Sequence, residues 1–303
     1  MAKILVIGAG AIGAFYGGKL SQAGAEVSVL CRSNYEQVKK SGFFIESCLG
    51  NFNFKPKKVL PDLNDYCQKA DFDFILIATK VLPKTLNTKL VAKILNQNTS
   101  IVLLQNGIHI EKKWQEEFPN HHLISILAFV CVAKNSPTTI KHQDYGRLIV
   151  GDFPSGISPK TLSLIELFQK SGVEVEPSKN IQTQRWKKLV WNAAFNPISV
   201  ISGGLNTKQI LENFETSNLA HQIMQEICIL AKLDNCELQE EVIEKTIELT
   251  KKMKPYKTSM LLDFEEKRPM EIEAILGNAL KFAKEKSAKT PYLAKVYSKL
   301  KTY

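Results

Sequence analysis

Apolar residues are arranged differently in the two halves of the chain. Up to about residue 176 they come as short runs broken by glycine, proline and polar turns: Lys3 to Ile7, Glu26 to Leu30, Phe43 to Ser47, Asn51 to Lys55, Phe72 to Thr79, Ile101 to Leu104, Leu123 to Ala133, Thr139 to His142, Arg147 to Val150 and Val173 to Glu176. Such runs predict strands, and the unbroken ones, Phe72 to Thr79 above all, are those of a parallel sheet covered on both faces. Cys48-Leu49-Gly50 predicts a hairpin on the sheet, and Gln143-Asp144-Tyr145-Gly146 a reversal pairing Thr139 to His142 with Arg147 to Val150. Ala14 to Ala23 and Thr161 to Lys170 have helical spacing. From Arg185 strand runs cease, and helices are predicted over Arg185 to Asn196, Thr207 to Asn213, Thr216 to Leu233, Leu238 to Met253, Ser259 to Lys267, Met270 to Ser287 and Tyr292 to Lys301. Pro269 and Pro291 read as helix starters, the latter behind Thr290 as cap. A βα-alternating half followed by an all-helical half predicts two domains, 1–179 and 180–303, which suits a chain of 303 residues.

The first strand run stops at Gly8-Ala9-Gly10-Ala11-Ile12-Gly13, and a helix follows. This is the strand, glycine loop and helix context of a dinucleotide site. Gly8 permits the tight turn, Gly10 lets backbone approach a pyrophosphate, and Gly13 allows close packing of helix on strand. The helix start presents N–H groups and a positive dipole end to the phosphates. An NAD site usually carries Asp or Glu at the end of the second strand, to bind ribose hydroxyls. Here the residues are Cys31, Arg32 and Ser33, and Arg32 can pair with a 2′-phosphate, which favours NADP; the alternative is a surface arginine without a role.

Ligands of open α/β sheets bind outside the carboxyl ends of strands, which places Lys80, after Phe72 to Thr79, and Asn106, after Ile101 to Leu104, where cofactor or substrate would pass. Asn106-Gly107 is equally a simple turn dipeptide. In the helical half, Lys188, Asn192 and Asn196 recur every four residues and form one polar stripe on an otherwise apolar helix. The stripe is either a structural network or a catalytic wall. Glu271 is either a first-turn acid favoured by the helix dipole or an inward partner for Lys188, and Ser259 is either a helix cap or a hydroxyl offered to a ligand.

Charge changes this picture little. A net charge of +10, from 40 Lys and Arg against 30 Asp and Glu, is spread along the chain, which indicates a solvated surface with some bias toward anionic small molecules and no nucleic-acid site. The six cysteines, Cys31, Cys48, Cys67, Cys131, Cys228 and Cys236, form no CxxC pair, and the five histidines, His109, His121, His122, His142 and His221, offer no metal spacing; the former read as reduced, mostly packed thiols and the latter as surface or packing residues. The amino terminus lacks the pattern of a signal peptide, and no apolar run reaches the roughly 18 residues of a membrane span. A cytoplasmic enzyme without membrane attachment is expected, as monomer or homodimer.

Taken in order, Gly8-x-Gly10-x-x-Gly13, Arg32, Lys80, Asn106-Gly107, Lys188-x-x-x-Asn192-x-x-x-Asn196-Pro197, Asn206, Ser259-Met260-Leu261 and Glu271 resemble the ketopantoate reductases, or 2-dehydropantoate 2-reductases, over essentially the whole chain. The resemblance implies a Rossmann-type domain with a parallel sheet, an all-α carboxy-terminal domain and an active site in the interdomain cleft. It further implies NADPH-dependent reduction of 2-dehydropantoate to pantoate, a step toward pantothenate and coenzyme A. On this reading Lys188 is the general acid, Asn106 and Lys80 line the nicotinamide and carbonyl side, and Asn192, Asn196 and Asn206 supply amide contacts to substrate. Ser259 would contact the substrate carboxylate, and Glu271 would hold a substrate hydroxyl or Lys188. Two positions depart from the family pattern: Tyr256 stands where Asn is common, and Pro83 where a polar residue is common. The competing readings are a reductase for another branched 2-oxo acid, a β-hydroxyacid dehydrogenase, and a non-catalytic NADPH sensor that would not need a buried Lys-Asn-Asn face.

Overall fold

The computed structural model describes residues 1–63, 71–83 and 88–303. Cys67, read above as a packed thiol, lies outside them. The chain divides into two compact units. The first takes the described residues of Met1–Lys80, Lys84–Gln105 and Glu111–Ile181, and the second takes Val81–Pro83, Asn106–Ile110 and Gln182–Tyr303.

In the first unit the described residues form a ten-stranded, mostly parallel sheet. Its strands are β1 (Lys3–Ile7), β2 (Glu26–Leu30), β3 (Phe43–Ser47), β4 (Phe52–Phe54), β5 (Val59–Leu60), β6 (Phe74–Ile77), β7 (Ser100–Leu103), β8 (Leu123–Lys134), β9 (Thr139–Asp152) and β10 (Val175–Pro177). They lie in the order β4-β3-β9-β8-β7-β6-β1-β2-β5, with β10 beside β9. The β6 and β7 strands are buried throughout, and β1 from Ile4 onward, as expected of parallel strands covered on both faces. Among the described strands, only β8 with β9 and β3 with β4 run antiparallel. The helix Ala11–Gln22 follows β1 directly and buries Phe15, Tyr16 and Leu20 in the core.

The expected reversal at residues 143–146 does not occur. Thr139–Asp152 is one strand, paired along its length with β8, and the irregularity is absorbed by register shifts at Phe129/Val130 and Cys131/Val132. Tyr145 (φ 62) and Gly146 (φ 127) take left-handed backbone there. Turn-prone residues inside a long pair can make a bulge instead of a turn, because the ladder on either side holds the strand direction.

The second unit is helical, with a core that includes Trp186, Phe195, Ile198, Leu230 and Leu261. Its first helix spans Ile181–Ile201 and continues through Pro197, which the sequence suggests as an end. Proline costs the helix one hydrogen bond, yet Phe195, Ile198 and Val200 are all buried, and tertiary packing holds the helix together across the break. Pro291 does start a helix, Pro291–Leu300, but Thr290 gives it no side-chain cap. The Glu226 carboxylate accepts the Tyr292 and Leu293 N–H groups instead, at 2.9 and 2.7 Å. Pro269 lies in a loop, and the backbone turns helical only at Ile272, opening with a π-helical turn, Glu273–Gly277, before Asn278–Glu285. No helix among the described residues is long and apolar enough to cross a membrane.

Candidate functional site

The glycine loop of the first unit is tightly packed at Gly8 and Gly13 and open at Gly10. Gly8 sits at φ +99, and a Cβ there would come within 2.7 Å of the Thr79 backbone nitrogen. A Cβ at Gly13 would lie 2.2 Å from the Gly8 carbonyl oxygen, so the helix can start this close to β1 only with glycine. Gly10 is different: a Cβ there would meet nothing within 4 Å. Its bare backbone opens the space in front of the first-turn N–H groups of Ala11, Ile12 and Gly13, which have no intrahelical acceptor. A diphosphate fits this cradle on both shape and charge. Arg32, past the end of β2, is exposed, and its guanidinium pairs with no carboxylate among the described residues. Lys80, partly buried, lies beyond β6 in the same unit.

The other candidate residues, Asn106, Lys188, Asn192, Asn196, Asn206, Ser259 and Glu271, all belong to the second unit. Lys188 Nζ donates to Asn106 Oδ1 at 2.9 Å, although the two are 82 residues apart. This bond fixes the Asn106 amide, turning its Nδ2 donor away from the lysine. Burial and the Arg185 guanidinium pull the Lys188 ammonium down to about 7, against the Glu271 carboxylate, which raises it. Glu271 Oε1 accepts the Val81 N–H at 2.9 Å, so this carboxylate both ties down the segment after Lys80 and bears electrostatically on Lys188.

Asn192 and Asn196 continue the polar stripe and are 8% and 1% exposed, and Asn196 Oδ1 is buried without a hydrogen-bond partner among the described residues. A buried amide oxygen left open costs free energy unless something arrives to satisfy it. Ser199, on the next turn, is bonded to Thr258 Oγ1 at 2.7 Å, and Thr258 caps the helix Ser259–Glu265 by accepting the Leu261 N–H. The cap is therefore Thr258, and Ser259 is left exposed beside it. Asn206 caps its own helix in a reciprocal box with Gln209, which commits its Oδ1 and leaves its Nδ2 as the edge toward any ligand.

The short segment carrying Asn106 is held at each of the next three residues. Arg185 Nη1 donates to the Gly107 carbonyl at 3.1 Å, Ile108 N–H donates to the Ala274 carbonyl at 3.1 Å, and Asn278 Nδ2 donates to the Ile108 carbonyl at 2.8 Å. His109, at φ 56, places Nε2 2.7 Å from Asp234 Oδ2, which also accepts from Trp186 Nε1 at 2.8 Å. Arg185, His109 and Asp234 carry no motif of their own. Arg185 does lie three residues before Lys188, on the same face, which is the one trace of it in the sequence.

Two family models, described as ketopantoate reductase PanE/ApbA and its C-terminal region, match residues 4–155 and 180–303. The chain belongs to the ketopantoate reductase family. It is 34% identical to a 2-dehydropantoate 2-reductase of Nostoc sp., over 99% of this chain and 94% of that one. The crystal structure of 2-dehydropantoate 2-reductase from Methylococcus capsulatus superposes with a TM-score of 0.92 at 43% identity, covering 99% of this chain and 96% of that one. The corresponding structure from Geobacter metallireducens gives 0.92 at 27% identity, covering 99% of each chain. As a ketopantoate reductase family member the protein is an oxidoreductase, with a Rossmann-like fold followed by a helical region.

Proposed function

We propose that the protein reduces 2-dehydropantoate to pantoate with NADPH, and that Lys188 is the general acid. The observation that carries this reading is the Lys188–Asn106 bond of 2.9 Å, with the ammonium drawn down to about 7. An acid works best when its pKa lies near the working pH, because it is then both protonated and ready to give the proton up. A bound nicotinamide cofactor would supply the hydride. Lys188 Nζ would give its proton to the substrate's carbonyl oxygen as the carbonyl carbon is reduced, so that the oxygen ends as a hydroxyl and the lysine as a neutral amine. The same ammonium stabilises the developing charge before the proton moves. Asn106 holds Lys188 in place through Oδ1, Asn192 offers a buried amide to the substrate, Asn196 Oδ1 would accept from a substrate hydroxyl, and Glu271 keeps the ammonium charged enough to act. Gly8, Gly10, Gly13 and the first helical turn would hold the diphosphate, and Arg32 the 2′-phosphate. The first unit thus serves the cofactor and the second the substrate.

The family membership and the 2-dehydropantoate 2-reductases among its relatives support the substrate. Following NADPH absorbance with 2-dehydropantoate and a panel of branched and unbranched 2-oxo acids tests it: turnover should be highest with 2-dehydropantoate. Silence with that substrate and activity with another acid would replace the assignment. Asn196 supplies a separate check. Because its Oδ1 has no partner among the described residues and can only accept, Asn196→Ala should leave thermal stability unchanged or slightly raised while KM for 2-dehydropantoate, whose hydroxyl can donate to it, rises by about tenfold, the value of one good hydrogen bond. Lowered stability with unchanged KM would make Asn196 a structural residue.

A further inference from the structure

The arch formed by β8 and β9 rises from the carboxyl edge of the sheet, the edge on which the glycine loop and Arg32 also lie, since β8 runs parallel to β7 and, through β6, to β1 and β2. Its tip docks on the loop after β2: Asn34 Nδ2 donates to the Pro137 carbonyl at 2.6 Å, and Cys31 Sγ donates to Asn34 Oδ1 at 2.9 Å. Two further hydrogen bonds, Asn135 N–H and Ser136 N–H to the Thr139 carbonyl, close the tip. Lys134, the last residue of β8, is thereby brought within electrostatic reach of Cys31, the neighbour of Arg32. It is partly buried and makes no ion pair with any described carboxylate. Burial lowers its ammonium below the ordinary lysine value, and the Cys31 thiol acts in the opposite sense. Arg32, exposed, also pairs with no described carboxylate, so the loop after β2 offers one cation of its own and has a second, Lys134, near its base, an arrangement that suits an anion.

We propose that Lys134 is a second cation for the cofactor's 2′-phosphate, reaching it from the β8–β9 arch while Arg32 approaches from the end of β2. The inference rests on the NADP reading above and deepens it. A monoester phosphate carries nearly two negative charges at neutral pH, and one guanidinium neutralises only one of them. Lysine suits the remaining role, as a point charge on a flexible stem beside a planar arginine.

The test uses the full chain and nucleotide fragments, with binding followed by calorimetry. Adenosine 2′,5′-bisphosphate carries the 2′-phosphate, and adenosine 5′-diphosphate lacks it. The unaltered protein should favour the 2′-phosphorylated fragment. Lys134→Gln should weaken that fragment by about tenfold, as expected for loss of one charged contact, and leave the 5′-diphosphate unchanged. Lys134→Arg should restore most of the affinity, and Arg32→Gln should show the same selectivity as Lys134→Gln with a larger loss. Equal weakening of both fragments by Lys134→Gln would make the lysine a packing residue of the arch, and no weakening of either would remove it from the site. An unaltered protein that does not prefer the 2′-phosphate would overturn the NADP reading itself. That result is distinct from a retained preference that Lys134→Gln leaves untouched, which overturns the Lys134 proposal alone.

Discussion

Lys188→Ala is expected to reduce turnover by about 10²- to 10⁴-fold, the usual worth of a placed general acid, while NADPH affinity changes little. NADPH affinity should be spared because the glycine loop and Arg32 belong to the other unit. The pH dependence follows from the same residue. With the Lys188 ammonium drawn to about 7, kcat/KM for carbonyl reduction should fall as pH rises through that value, and the variant should lose this limb of the profile. Stability should move oppositely. The folded pKa lies below the ordinary lysine value of 10.5, so between about 7 and 10.5 the unfolded chain binds more protons than the folded one, and stability rises with pH across that window. Below about 7 the folded protein carries the full cost of a poorly solvated ammonium, which Lys188→Ala removes. Urea melts at pH 6 and pH 9 should therefore show a pH-dependent gap in the parent that narrows in the variant. Near-normal turnover in Lys188→Ala would take the residue out of the acid role.

Gly107→Ala should be the most damaging glycine substitution in the second unit. Gly107 stands at φ +113, and a Cβ would lie 2.6 Å from the Ala274 carbonyl oxygen and 2.8 Å from the Ala274 Cβ. That oxygen already accepts the Ile108 N–H, so relief of the clash has to come from moving the segment itself. The expected cost is about 1–3 kcal/mol of stability, and a loss of turnover beyond it, because Asn106 is the adjacent residue and would leave its 2.9 Å contact with Lys188. Gly24→Ala makes the control: Gly24 has φ +91 but open space around its Cβ, so only the backbone strain applies, at about 1 kcal/mol. Thermal melts and turnover measured on both would separate strain from displacement. A Gly107→Ala protein as active as the parent would mean that Asn106 is not placed by this segment.

The parts legible in the sequence were those written in local pattern. The glycine loop, Arg32 and the strand ends are read within a few residues of one another, and the Lys-Asn-Asn stripe needs only the helical repeat. What stayed hidden depends on residues far apart in the chain. Asp234 is an ordinary helix-terminal acid until His109 and Trp186 meet it, and Glu226 sits within a helix until the Tyr292 and Leu293 N–H groups reach its carboxylate. Local signals also misled where tertiary structure outweighed them. Thr290 had the composition of a cap and Tyr145-Gly146 that of a turn, but Glu226 supplied the first and the long β8–β9 ladder suppressed the second. Ser259 left two readings open, and its neighbour Thr258 closed one by taking the cap.

The membership of Asn106–Ile110 in the second unit bears on how this protein can be inherited and taken apart. Cut at Ile181, the carboxy-terminal piece keeps Lys188, Asn192, Asn196 and Glu271 but loses Asn106, and with it the oxygen that holds the lysine. It also leaves the Ala274 carbonyl, Asn278 Nδ2 and Asp234 without partners they have in the intact chain. A recombination event at the apparent domain boundary would exchange most of the helical half yet retain the other parent's five-residue segment, so a working chimera requires that segment and the helices it docks on to be compatible from the outset. The sequence boundary near residue 180 marks a change of texture, and the packed unit that holds Lys188 draws on both sides of it.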